Sequence, residues 1–175
     1  MFTNRARQLV IFVFILVMLF SIYEQAYEII GVALLAIGVL VWGYFKEGTV
    51  VLAAKDFHDR NYEKTENLLR QIARPALLAK KRRGYYEYMM GGIALQKQDF
   101  EAAENHYEIA ALYPLQSVND HVAALVHVAN INVRQHRYDK AEAYLGLALK
   151  QNENLTSRMR DVITKLEQEI KQRKR

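Results

Sequence analysis

One nine-residue pattern returns twice at a fixed interval, and that interval limits the folds open to this chain more than any other feature. Residues 61–69 read NYEKTENLL, residues 99–107 DFEAAENHY and residues 137–145 RYDKAEAYL, a spacing of 38 each time. An aromatic takes the second place (Tyr62, Phe100, Tyr138), a short residue stands three later (Thr65, Ala103, Ala141), and a glutamate follows at once (Glu66, Glu104, Glu142). The recurrence reaches further. Ala53, Gly91 and Ala129 come nine before the aromatic, and Ile72, Ala110 and Ala148 come ten after it. Apolar spacings of three and four on both sides predict a pair of helices in each unit. Small residues half a unit apart mark the place where two antiparallel helices cross closely. Such a pair cannot bury its apolar face alone, so the units must stack.

Period, small-residue positions and aromatic placement together resemble the tetratricopeptide repeat over roughly residues 46–152. The middle unit carries the likeness best, with Gly91, Ala103, Tyr107, Ala110 and Pro114 at the family's marked places. The outer units depart from it: Thr65 replaces the central Ala, Leu69 and Leu145 replace the later aromatic, and Thr49, Glu87 and Leu125 stand where the family has Trp. Repeat arrays need capped ends. Leu155, Met159, Val162, Ile163, Leu166 and Ile170 recur at helical spacing, which predicts a capping helix over 154–175 with Asn154 or Thr156 as its N-cap.

The first 45 residues have a different composition. Leu9–Tyr23 and Ile29–Phe45 carry no charge, and a bilayer span takes about 20 apolar residues with a lower limit near 17. With Arg7 and Lys46 to snorkel and Tyr23, Tyr27, Trp42 and Tyr44 near the interfaces, the reading is a transmembrane hairpin over 1–45. A re-entrant hairpin meets the same lengths. A cleaved signal peptide does not fit, because SIYEQAYE offers no small-residue exit. Arg5 and Arg7 before the first segment, Lys46 after the second and a turn with no Lys or Arg predict both termini in the cytoplasm. The expectation is an integral protein of a bacterial inner (cell) membrane. Gly31 and Gly38 are expected to let the two helices pack closely. No Pro or polar linker separates the second segment from the first repeat, so one nearly continuous helix is expected, with a kink at Gly48 as the alternative.

The fold class is therefore all-α: two transmembrane helices, about three tetratricopeptide-like helix pairs over 46–175, and the capping helix. The sequence predicts no catalytic centre, no metal and no cofactor. It has no Cys, its five His (58, 106, 121, 127, 136) fall at no ligand spacing, and it has no phosphate-binding glycine loop. What the resemblance implies is protein binding: the first helix of each unit lines a concave groove. Carried across, that register places Phe57, His58, Tyr85, Tyr88, Met89, Gly92, Leu95, Gln96, His127, Asn130 and Arg134 on the groove, with an apolar helix or short motif as ligand. The lysine and asparagine places of the family's carboxylate clamp hold Val50 and Ala54, so a clamp is not implied. Two basic runs, Lys80–Arg83 and Lys171–Arg175, offer anionic-lipid contact as a second reading. Nucleic acid is excluded as a partner, because no aromatic platform is interleaved with them.

Overall fold

The computed structural model describes the backbone of residues 4–24, 27–47, 49–115, 117–151 and 155–174, and their side chains apart from 4–8, 27, 28 and 44–47. Among these residues the fold is all-helical. A hairpin of α1 (Asn4–Tyr23) and α2 (Tyr27–Glu47) precedes three helix pairs: α3 (Val50–His58) with α4 (Tyr62–Arg70), α5 (Lys80–Gln96) with α6 (Phe100–Ala111), and α7 (Val118–Arg134) with α8 (Tyr138–Leu149). Then α9 (Ser157–Arg173) packs on α7 and α8.

The 38-residue recurrence is first of all a recurrence of turns. Each pair is joined by three residues, and the middle one is left-handed: Arg60 (φ 59°), Gln98 (φ 63°) and His136 (φ 60°). Each turn closes with the same backbone bond back across the helix end: Asn61 N to Asp56 O (2.9 Å), Asp99 N to Ala94 O (3.0 Å), and Arg137 N to Asn132 O (2.8 Å). Asn61 and Asp99 then cap the second helix, accepting from Lys64 N and Ala102 N. The recurrent aromatic opens that helix and folds, half-buried, against the core of its own unit.

Small residues and large ones are traded within the seams. Ala53 and Leu69 share one core cluster, and Ala129 and Leu145 share another. In the middle unit the corresponding residues are Gly91 and Tyr107, and a Cβ on Gly91 would lie 3.0–3.1 Å from the Tyr107 ring. The larger ring takes the room that the missing methyl leaves. Gly91 thus faces Tyr107, while Ala103 is fully buried in a cluster with Ala124, Val128 and Ile131 of α7.

The recurrent glutamates fasten each unit to the next. Glu66 meets Lys97 (2.7 Å), Glu104 meets Arg137 and Lys140 (2.7 Å to Lys140), and Glu142 meets Lys174, the C-cap of α9 (2.7 Å). Burial works to raise the Glu104 pKa, but bonds from Lys140, Asn132 and Arg137 outweigh it and hold the carboxyl below its usual range. The places where the family has Trp are buried too. Thr49 Oγ1 donates to Leu68 O (2.5 Å), Leu125 sits in the core, and Glu87 is held by Arg83 and His106, each at 2.5 Å.

The C-terminal helix caps the array as expected, with Thr156 as N-cap accepting from Met159 N. Leu155, Ile163, Leu166 and Ile170 are buried against α7 and α8, whereas Val162 is exposed. Ile72 lies beyond the end of α4, which stops at Arg70 ahead of Pro75.

Several expectations for the N-terminal part are corrected. Among the described residues no helix is long and apolar enough to cross a membrane, so the chain is not read as an integral membrane protein and the topology drawn from its arginines falls with it. Lengths give the physical reason. Leu9–Tyr23 is about 22 Å long at 1.5 Å per residue, against a hydrocarbon core of about 30 Å. Gly31 and Gly38 do not tighten the hairpin, since a Cβ on either would meet nothing within 4 Å. The hairpin closes on Ser21 and Ala33, both buried. Nor is there one continuous helix: α2 ends at Glu47 and α3 begins at Val50. Gly48, the alternative kink, lies outside the described residues.

Candidate functional site

The first helices of the pairs, α3, α5 and α7, bring their facing side chains together in two layers. The inner layer is aromatic. Tyr88 stands edge-on to Phe57 (6.2 Å between centroids), Tyr107 (5.5 Å) and His127 (6.1 Å), while His127 stacks on Tyr107 at 4.6 Å and 15°. Gly92 makes this closure possible, because a Cβ there would lie 2.6 Å from the Phe57 ring. Burial pushes the Tyr88 hydroxyl up to about 12, and it also raises that of Tyr107. It pushes the His127 imidazole down to about 4, so this ring is neutral at pH 7.

The outer layer is a cleft of ≈ 430 Å³ between the ends of α5 and α7. Leu95, Gln96, Gln98 and Phe100 form one side, and His127, Asn130, Ile131 and Arg134 the other. Gln96 and Arg134 are exposed, and Asn130 and Leu95 are half-buried. Arg134 ends α7 and makes no ion pair among the described residues.

Five of the eleven residues named from the sequence therefore line one cleft: Leu95, Gln96, His127, Asn130 and Arg134. Phe57, Tyr88 and Gly92 form the packed layer with His127 and Tyr107. Tyr85 spans from α5 to the start of α7, donating to Asp120 Oδ2 (2.5 Å), and Asp120 with Ser117 forms that helix's capping box. Met89 leaves the set. It is buried among Val50, Ala53, Leu69 and Ile93, turned away from the Tyr88 side of α5. His58 is exposed at the end of α3 and belongs to neither layer. Sequence reasoning missed Gln98, Phe100 and Ile131. Gln98 is the left-handed centre of the recurrent turn and Phe100 the recurrent aromatic just after it, but the 38-residue spacing alone does not say that they face the cleft.

Both basic runs are partly neutralised. Arg83 pairs with Glu87, Arg173 with Glu169 (2.9 Å), and Lys174 with Asp139 and Glu142. Lys171, Gln172 and Arg173 of the terminal run accordingly end α9 and Lys174 is its C-cap, while Arg175 lies outside the described residues.

Tandem antiparallel helix pairs, with small residues at the crossings and a cleft on the first-helix side, define a tetratricopeptide-type array. A family model for the SusR N-terminal TPR domain matches residues 44–165, and the chain belongs to that family. No curated protein and no solved structure matches it.

Proposed function

We propose that this chain is a scaffold or adaptor that positions a protein partner through the concave side of its helix array. Membership of a TPR family supports protein–protein interaction as the class of work. The observation that carries the finer reading is the cleft between α5 and α7. Its polar groups, Gln96, Gln98, Asn130 and Arg134, surround the apolar surface of Leu95, Phe100 and Ile131. Its inner wall is a packed aromatic layer, so the surface is formed before any ligand arrives, which lowers the ordering cost of binding. On this reading Tyr88, Phe57 and Gly92 support the surface and the cleft residues touch the partner. Residues 46–175 would form the binding unit and residues 1–45 a separate helical hairpin.

Affinity capture with the full chain tests the proposal, comparing wild type with Gln96→Ala/Asn130→Ala. The expected result is loss of the captured partner with an unchanged melting temperature. Undiminished capture by the folded variant would place the interaction surface elsewhere.

A further inference from the structure

The net charge of this protein sits in one short stretch. The chain has 24 Lys and Arg against 19 Asp and Glu, and residues 67–86 hold six of those cations (Arg70, Arg74, Lys80, Lys81, Arg82, Arg83) and no acid. Without them the count is 18 against 19, so the rest of the molecule is close to neutral. The last four open α5, which has no acid in its first turn and no side-chain N-cap. By contrast, Glu63, Glu101, Asp120 and Asp139 stand in the first turns of α4, α6, α7 and α8, where the helix dipole favours them. Lys80–Arg83 run against that dipole, and an external anion at the open N–H groups would offset the cost. The acids that flank the stretch are already engaged. Glu66 is held by Lys97 and Arg70, Glu87 is buried between Arg83 and His106, and Asp120 accepts from Tyr85.

Packing places this stretch at one end of the array. Thr49 at the start of α3 donates to Leu68 O near the end of α4, and Leu78 packs with Val50 and Leu69. A Cβ on Gly84 would meet Leu115 and Tyr113, just beyond α6. The starts of α3, α5 and α7 and the ends of α4 and α6 therefore share this end. Arg70, Arg74, Lys80 and Lys81 are exposed there, and so are Leu77 and Leu112, the latter by 82%. The hairpin joins at the same end, since α2 stops at Glu47 and α3 begins at Val50, and its outward side chains are apolar. Cations mixed with aliphatic side chains match a phospholipid surface, where phosphates take the charges and the acyl boundary takes the apolar groups. A nucleic acid or an acidic peptide would use the charges and leave the aliphatic groups in water. The C-terminal basic run differs, because Arg173 and Lys174 are answered by Glu169, Asp139 and Glu142.

We infer that this end of the array docks on an anionic phospholipid surface, with Arg74, Lys80 and Lys81 at the headgroups and Leu77 and Leu112 at their inner boundary. Contact is from one side, and no helix crosses the bilayer. The docking also gives the array a direction. The cleft lies at the opposite ends of α5 and α7, about 20 Å from Lys81 along α5 at 1.5 Å per residue, and so faces away from the lipid. What the cleft binds does not enter this inference.

The test is sedimentation of the full-length protein with vesicles of phosphatidylcholine, with and without phosphatidylglycerol. The ratio of the two affinities is the readout, so that any contact the apolar hairpin makes with both cancels. Phosphatidylglycerol should tighten binding about tenfold or more at low salt, and added salt should erase the gain. Lys80→Gln/Lys81→Gln should lose most of the gain with an unchanged or raised melting temperature, and Lys80→Arg/Lys81→Arg should keep it. Arg158→Gln/Lys165→Gln, which removes two exposed charges from α9, should leave it as it is. The chain has no Cys, so a single label can report orientation. A fluorophore on Leu77→Cys should be quenched by a headgroup quencher, and one on Gln96→Cys should not. Equal binding to the two kinds of vesicle would overturn the inference, as would equal losses from the α5 and α9 variants. Quenching at position 96 that equals or exceeds that at position 77 would do the same. Tighter binding to polyglutamate or to an oligonucleotide than to the anionic vesicles would overturn it by assigning the cations to an acidic protein or a nucleic acid.

Discussion

Glycine plays opposite parts in α5 of the repeat array and in the N-terminal hairpin. In the repeat array, a Cβ on Gly84, Gly91 or Gly92 would come within 2.6–3.0 Å of Leu115, Tyr107 or Phe57. In the hairpin, a Cβ on Gly31, Gly38 or Gly43 would meet nothing within 4 Å. The large residues follow suit. Tyr107 is 2% exposed, whereas Trp42 of α2 is 68% exposed, and Leu35 on the same helix is 71% exposed. Both regions are antiparallel helix pairs, and the hairpin is the more apolar of the two. The difference is that the array surrounds each seam with a neighbouring unit, while the hairpin has one seam and an open outer surface. Interlocking comes from stacking, and helix pairing alone does not supply it.

The largest expected contrast uses the two buried and exposed rings. Tyr107→Ala removes the ring on which His127, Tyr88 and Gly91 all rest, and should cost about 3–5 kcal/mol in chemical denaturation. Trp42→Ala, by contrast, should stay within about 0.5 kcal/mol. Equal losses would mean that the hairpin is packed as tightly as the array.

Next in size is a pH effect confined to the array. The folded-state pKa of His127 lies at about 4, below the unfolded value of about 6.5. The unfolded chain therefore binds a proton first, and stability falls as pH drops from about 6.5 to about 4. The expected loss is about 2 kcal/mol after allowing for partial exposure. Denaturation midpoints across that range should show it, and His127→Phe, which keeps the stacked ring, should remove most of the slope. The depressed carboxyl of Glu104 adds stability that is present above the unfolded value, about 4.3, and lost below it as pH falls through the folded one. An unchanged slope in Glu104→Gln below pH 4.3 would show that its three partners add nothing.

The trade in the middle unit sharpens the comparison directly. Gly91→Ala should destabilise by about 1–2 kcal/mol, because the new methyl presses on a ring fixed on both sides. Adding Tyr107→Leu recreates the pairing of the outer units, so the double variant should be more stable than the sum of the single effects predicts. Strict additivity would mean that the two residues do not share a seam. The mirror change, Gly38→Ala in α2, should raise helix stability by up to about 1 kcal/mol, since nothing opposes the methyl. Smallest is Gln98→Gly. Relief of the left-handed turn should raise the melting temperature by an amount that corresponds to about 0.5 kcal/mol.

The sequence made the repeats readable because the spacing of 38 is imposed by turns that each unit needs. The small residues and the opening aromatics followed from that spacing, and the capping face of α9 from the helical spacing of its own apolar residues. Two things were hidden. One was rotation within α5. Tyr88 and Met89 are adjacent, and spacing alone does not say which of them turns toward α7 and which toward α3 and α4. The other was the role of the recurrent glutamates, whose partners lie 31 to 36 residues away and follow no motif. Five of the eight residues that line the cleft were legible from the family register. Gln98 and Phe100 were not, because their placement depends on a turn whose left-handed residue is Gln98 itself. The hairpin was misread because apolar composition without a neighbour looks the same in sequence whatever its length can span.

A photo-crosslinking scan in the full chain, carried out in its native cell, addresses the interaction surface most directly. A crosslinking residue would replace, one at a time, Gln96 and Asn130 in the cleft, Glu101 on the exposed side of α6, and Leu35 on the outer side of the hairpin. The account predicts one discrete protein adduct shared by positions 96 and 130 and missing from position 101. An adduct from position 35 or 101, with none from the cleft, would contradict it.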